Sequence, residues 1–178
     1  MKDESSLKHA FKVEWAIWQA LAEGKQSILF NPVSCSRNAE KFRVKYTRFW
    51  LIPAGNRQQT AGSRQSYFTR YFAEVTGVYH VHDRLLAHML AHLHLWNDAE
   101  VEKRFACPPP GLLVLVVRVF RVPPSETVDD VILASQDQSW IELETSFSIK
   151  DASQVMSEQV FADLNLNLSM LLNPTAYA

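Results

Sequence analysis

Long apolar runs are missing from this chain. The longest, Leu112 to Val117, falls far short of the ~20 residues that span a bilayer, and Lys2, Asp3 and Glu4 open the chain where a signal peptide needs an apolar core. A membrane partner is excluded on this reading and a cytoplasmic location is expected. Cysteine is scarce as well: Cys35 and Cys107 are too few and too isolated for a disulfide framework or a cysteine zinc site, so a reducing compartment fits. Only five glycines are present, and they form neither a phosphate-cradling loop nor a Gly-x-Ser-x-Gly elbow. Glu23-Gly24-Lys25, the only Glu-x-Lys, sits where a helix ends rather than along a strand. No cofactor and no catalytic residue are nominated on these grounds.

What the chain does have is charge laid down unevenly behind a net value of -1. From Arg37 to Arg84 there are nine Lys/Arg against three Asp/Glu, and from Pro123 to Ala178 one Lys against nine Asp/Glu. A basic middle favours a polyanionic partner, DNA or RNA being the commonest.

Hydropathy periodicity predicts the elements. Leu7 to Glu23 reads as one amphipathic helix stopped by Gly24, with Glu14 caught in its apolar arc beside Trp18 and Leu21. Gln26 to Phe30 reads as a strand, and Phe42 to Ile52 as a basic, half-buried one with Val44, Tyr46, Trp50 and Ile52 on one face and Arg43, Lys45 and Thr47 on the other. The Gly-, Gln- and Arg-rich stretch from Pro53 to Ser66 reads as a connection carrying Arg57 and Arg64. Tyr67 to His82 alternates as a long strand with a bulge at Gly77. Asp83 caps a helix to His94, Asn97 or Asp98 caps another to Arg104, and Leu112 to Val122 is apolar on both faces, as a central strand should be. Trp140 to Leu143 forms a last strand, and Ser157 caps a helix whose Phe161, Leu164, Leu168 and Leu171 share a face. Arg118 inside the central strand needs a carboxylate, and Glu14, read as buried, is the expected partner.

Five of the six histidines fall between His80 and His94. His80 with His82 on a strand, or His88 with His92 on a helix turn, could bind a metal, but the only carboxylate close in sequence is Asp83 and no His-Glu-x-x-His pattern occurs. No metal site is expected; pH sensitivity is.

The segments themselves resemble a known family. Leu7-Lys-His-Ala-Phe-Lys-Val-Glu14-Trp15-Ala-Ile, Ala20-Leu-Ala-Glu-Gly24-Lys-Gln-Ser-Ile-Leu29, Phe42-Arg-Val and Phe49-Trp-Leu-Ile-Pro53 are similar to the uncharacterised bacterial family catalogued as domain of unknown function 1802. So, in the same order, are Ala73-Glu74-Val75, His94-Leu-Trp96-Asn, Val101-Glu-Lys-Arg104-Phe105, Arg118-Val-Phe-Arg121 and Ser139-Trp140-Ile-Glu142-Leu. Some members are fused to a restriction-endonuclease domain, which implies a role beside restriction-modification or defence and a restriction endonuclease as partner protein. The chain departs from the pattern at Phe30-Asn31-Pro32-Val33, where the family carries Arg-Lys-Gly-Gly, and at Pro53-Ala54 and Arg57-Gln58, where it carries Pro-Thr and His-Gln.

The order of elements suits one α+β domain over residues 1–178, with a curved mixed sheet or partial barrel. By analogy it is PUA-like, one of the small barrels of the PUA, ASCH and EVE type that read bases in a cleft. The expected function is non-enzymatic nucleic-acid recognition, with Arg43, Lys45, Arg48, Arg57 and Arg70 on phosphates and Trp50 or Trp96 stacking on bases. Two alternatives come from other classes. One is a carboxylate- or metal-dependent hydrolase using Glu14 and the histidines; the other is a protein-interaction subunit whose acidic end covers its own basic face.

Overall fold

The computed structural model describes residues 5–30, 44–54, 69–126 and 139–172. Within them the architecture is α+β, built on a mixed, unclosed sheet of seven strands: β1 (Ser6–Glu14), β2 (Ile28–Phe30), β3 (Arg48–Ala54), β4 (Tyr71–Val81), β5 (Leu112–Arg121), β6 (Trp140–Ser148) and β7 (Ser153–Gln154). The order across the sheet is β2-β5-β4-β3-β1-β6, and β7 pairs with β5 beyond the stretch that β2 occupies. Only β1 and β3 run parallel, with Ala10 opposite Trp50 and Glu14 opposite Ala54. Four helices complete the fold: α1 (Trp15–Ala22), α2 (Arg84–Met89), α3 (Asp98–Ala106) and α4 (Glu158–Leu172).

The N-terminal segment corrects the sequence reading. Residues 6–14 form a strand and the helix begins only at Trp15, so the helical wheel had merged two elements. Phe11 and Val13 satisfy a two-residue period as well as a helical one. The tie is broken by position: β1 lies between β3 and β6, where both sides of its backbone find hydrogen-bond partners. A helix as short as residues 6–14 gains little by itself in water.

The central strands confirm their periodicity. β5 is buried from Leu112 to Val117, and β4 carries the bulge expected at Gly77: Val75 opposes Val117 and Gly77 opposes Val116, which leaves Thr76 as the extra residue. Alternation along β3 divides the core between the two sheet faces. Phe49 and Leu51 join the main cluster with Ile17 and Leu21 of α1 and Phe161 and Leu168 of α4, while Trp50 and Ile52 join Ala10, Phe72, Val122 and Leu143 on the other face. The half-buried basic strand is thereby overturned. β3 begins at Arg48, is buried from Phe49 to Pro53, and has Lys45 ahead of it rather than in it.

Capping follows the sequence. Asp83 accepts from the Leu85 amide at 2.7 Å, Asn97 from Glu100 at 2.9 Å, and Ser157 from Val160 at 3.4 Å. The helix after Asp83 is shorter than expected and tightens to a 3₁₀ turn over Leu90–Leu93. The final strand region is longer than expected: β6 runs to Ser148 before β7. Gly24 ends α1 with φ +68°, a conformation open to glycine without strain. Cys107, buried after α3, is disulfide-bonded, against the expectation of a chain kept reduced. Among the described residues no helix is long and apolar enough to cross a membrane.

Candidate nucleic-acid interface

Where β1 hands over to α1, the chain places aromatic rings at the surface. Trp15, the first residue of α1, is 44% exposed and stacks on Trp18, ring centroids 5.1 Å apart and planes 22° from parallel. Trp18 is fixed from behind: its indole N–H donates to the Leu51 carbonyl at 3.0 Å and its ring meets Tyr71 edge-on at 5.4 Å. The Arg70 guanidinium lies 5.8 Å from the Tyr71 ring centroid, within cation–π range. The result is an exposed aromatic step backed by a rigid one, with a cation beside it.

The same end of the sheet carries more polar chemistry. Glu14 closes β1 and occupies the N-cap position of α1, yet its side chain makes no capping hydrogen bond. Its carboxylate lies 3.8 Å from Arg104, which pairs with Glu100 at 2.9 Å and holds its guanidinium 5.7 Å from the Trp96 ring centroid. Trp96 in turn stacks on Phe30 at 4.5 Å. Thr69 donates its hydroxyl to the Leu51 carbonyl at 2.7 Å. Ala54 and Thr69, the described residues on either side of 55–68, therefore both lie here.

Several sequence-predicted roles change. Trp50 is fully buried, donates its indole N–H to the Leu7 carbonyl, and cannot stack on a base; Trp96, at 8% exposure, is a packing residue against Phe30. Arg48 is bound to Glu74 at 2.8 Å across the strand pair, so a phosphate would compete for it. Lys45 is exposed, its ammonium 5.4 Å from the Tyr46 ring centroid, and Arg70 adjoins Tyr71 as above. Arg43 and Arg57 lie outside the described residues. The buried Glu14–Arg118 pair does not form. The Glu14 side chain is 60% exposed, and Arg118 binds Glu158 at 2.9 Å with its guanidinium 4.4 Å from the Phe161 ring centroid. Arg118 found its carboxylate on α4 because that helix packs over β5, a contact that no spacing in the sequence announces.

The histidines divide among separate neighbourhoods. His88 meets Glu102 at 2.7 Å through Nε2 and Asp98 at 3.7 Å through Nδ1, carboxylates that α3 brings from a distance in sequence. The rings of His80 and His82 are 6.2 Å apart. His94 is buried against Phe30 and Trp96, and burial pushes its imidazole below the usual histidine range. Among the described residues no three His, Cys, Asp or Glu side chains converge as a metal site. A second charged region lies along β1 and β6, where the Lys8 ammonium, 2.9 Å from Glu142, holds that exposed carboxyl below its usual range. His9 stacks there on Tyr46 at 3.7 Å.

Trp15, Trp18 and Tyr71 were not singled out as functional from sequence. A helix wheel drawn through Leu7 to Glu23 hides the strand-to-helix junction that exposes Trp15. The signal that could have found it is the Glu14-Trp15 pair within the first family-like segment.

The family described as "Domain of unknown function (DUF1802)" matches residues 10–166. No curated protein matches the chain. Among solved structures, ASCH from Zymomonas mobilis is similar at 9% identity, covering 90% of this chain and 94% of that one with a TM-score of 0.44. A serine-to-alanine variant of it gives 10% identity over 90% and 94% with a TM-score of 0.45, and a tyrosine-to-phenylalanine variant 11% over 77% and 90% with 0.45. This is a loose likeness of outline.

Proposed function

The chain belongs to the domain-of-unknown-function 1802 family, and we propose that it is a non-enzymatic module that binds single-stranded or locally unpaired nucleic acid. The observation that carries this reading is the exposed Trp15, stacked on an anchored Trp18 with Arg70 and Tyr71 alongside. An exposed indole costs hydration free energy, and a base stacked on it is worth ~1–3 kcal/mol whatever the sequence. Glu14 and Arg104, from two of the family-like segments, meet at 3.8 Å beside this step, Trp96 of a third flanks Arg104, and Pro53-Ala54, where the chain departs from the family, pairs with Val13 and Glu14. Arg70 and Lys45 are the phosphate contacts, joined in the proposal by Arg43 and Arg57 of the same basic stretch. An accessory role beside a restriction endonuclease follows from the family resemblance and belongs to the proposal.

Fluorescence anisotropy with single- and double-stranded oligonucleotides across a salt series tests it. Micromolar binding at ~50 mM salt that weakens steeply with salt, and that Trp15→Ala with Arg70→Glu abolishes, is the expected result. No binding at that salt, or equal binding by the double variant, overturns it.

A second reading has its own observation. Val160, Leu166 and Met170 of α4, with Leu85 and Met89 of α2, are large apolar side chains left exposed. Patches of this kind mark protein partners. Chemical crosslinking in the presence of the candidate endonuclease, lost on Leu166→Glu with Met170→Glu, would favour the interaction-subunit role.

A further inference from the structure

Glu14 is placed where a structural role does not account for it. It stands at the N-cap of α1 but does not cap it; it lies at 3.8 Å from Arg104, too far for a close ion pair; and its side chain is 60% exposed, immediately before the exposed Trp15. An exposed pair at that distance adds little stability. Arg104, itself 20% exposed, is held by Glu100 at 2.9 Å and flanked by Trp96, and so supplies a positive charge beside Glu14.

A carboxylate offers two acceptor oxygens side by side and no donor. Bases differ in what they present to such a pair. Guanine alone carries two adjacent donors on its pairing edge, the ring N1–H and the exocyclic amine; adenine and cytosine set one amine beside an acceptor nitrogen, and uracil or thymine sets one N–H between two carbonyls. A base lying on Trp15 turns its edge outward past the ring, toward whatever polar group borders the platform. We infer that Glu14 is that group and selects guanine, with Arg104 offsetting the repulsion between the carboxylate and the nearby phosphates. The inference rests on the nucleic-acid reading above and adds to it a specificity that stacking alone does not give.

The test compares the intact chain with Glu14→Gln, using single-stranded oligonucleotides of one length that carry a single G, A, C or T in an otherwise abasic backbone. Gln replaces one acceptor oxygen by a donor and leaves shape unchanged. The expected result is that the intact chain prefers the G oligonucleotide by about tenfold or more, the range of a good bidentate contact. In Glu14→Gln that preference falls below about threefold, because the amide's one donor and one acceptor no longer match the two donors of guanine and suit the amine-and-acceptor edges of A and C at least as well. Trp15→Ala weakens all four alike. Binding without preference for G, or a preference that survives in Glu14→Gln, overturns the guanine assignment and leaves the nucleic-acid reading standing. Absence of binding to all four overturns both. Circular dichroism melting of Glu14→Gln within a degree or so of the intact chain excludes misfolding as the cause.

Discussion

Trp50 in β3 and Trp15 at the head of α1 are the same side chain put to opposite use. Trp50 sits in the middle of a sheet whose both faces are covered, with no exposure and with its one polar atom satisfied by the Leu7 carbonyl. Trp15 sits where a strand stops and a helix starts, a junction with neighbours on one side only, and it keeps 44% of its surface in water. Position in the sheet order, rather than residue type or local charge, decides which tryptophan can meet a ligand. Stability and recognition should therefore separate cleanly between the two regions.

The sharpest way to break that separation is to truncate both rings. Trp50→Ala is expected to cost ~3–5 kcal/mol in chemical denaturation, the usual cost of emptying a core site of an indole. Trp15→Ala should leave the denaturation midpoint nearly unchanged and instead cost ~1–3 kcal/mol of oligonucleotide affinity. Equal stability losses in the two variants would mean that Trp15 is a packing residue and that the surface step has no binding role.

A smaller effect comes from His94, buried among Phe30 and Trp96. Burial lowers its folded-state pKa, so above the ordinary histidine value both states are neutral and His94 adds no pH dependence. As pH falls below about 6.5, the unfolded chain takes up a proton more readily than the folded one, and stability declines until the folded pKa is passed. Melting temperatures between about pH 7 and 5 should show this decline, and His94→Phe should flatten it. A profile unchanged in the variant would place the acid sensitivity elsewhere.

The smallest expected effect is at Arg48 and Glu74. The sequence put Arg48 on a phosphate, but the structure ties it to a cross-strand carboxylate that is half exposed. A double-mutant cycle over Arg48→Ala and Glu74→Ala should return about 0.2–1 kcal/mol of coupling, typical of an exposed pair. Glu74→Ala should then strengthen nucleic-acid binding slightly by releasing the guanidinium. No change in affinity would remove Arg48 from the interface.

What the sequence made legible follows from what is local. The bulge at Gly77, the caps at Asp83, Asn97 and Ser157, and the apolar face of α4 are set by residues within a few positions of each other, and each was readable. The two-sided burial of β5 was readable for a different reason: no polar residue interrupts Leu112 to Val117. What failed depended on partners far along the chain. Residues 6–14 became a strand because β3 and β6 flank them, and Arg118 found Glu158 because α4 crosses β5. The candidate site failed in the same way. Its predicted aromatics, Trp50 and Trp96, lie in the core, because exposure is a property of the assembled sheet. Arg43 and Arg57, which completed the predicted set, fall outside the described residues.

The two outer strands of the sheet differ in how they meet water, and this bears on self-association. β2 is three residues long, which is too short a backbone rim for another chain to add to. β6 is long, but it displays Glu142 and Glu144 to solvent, and a second copy docking there in antiparallel register would bring carboxylates together. The strand with the greatest capacity to template aggregation is β5, and its outer side is shared by β2 over Val114–Val116 and β7 over Phe120–Arg121. Those two short strands, contributed from opposite ends of the chain, thus act as a sheath, and the backbone rim of β5 stays covered only while both remain docked.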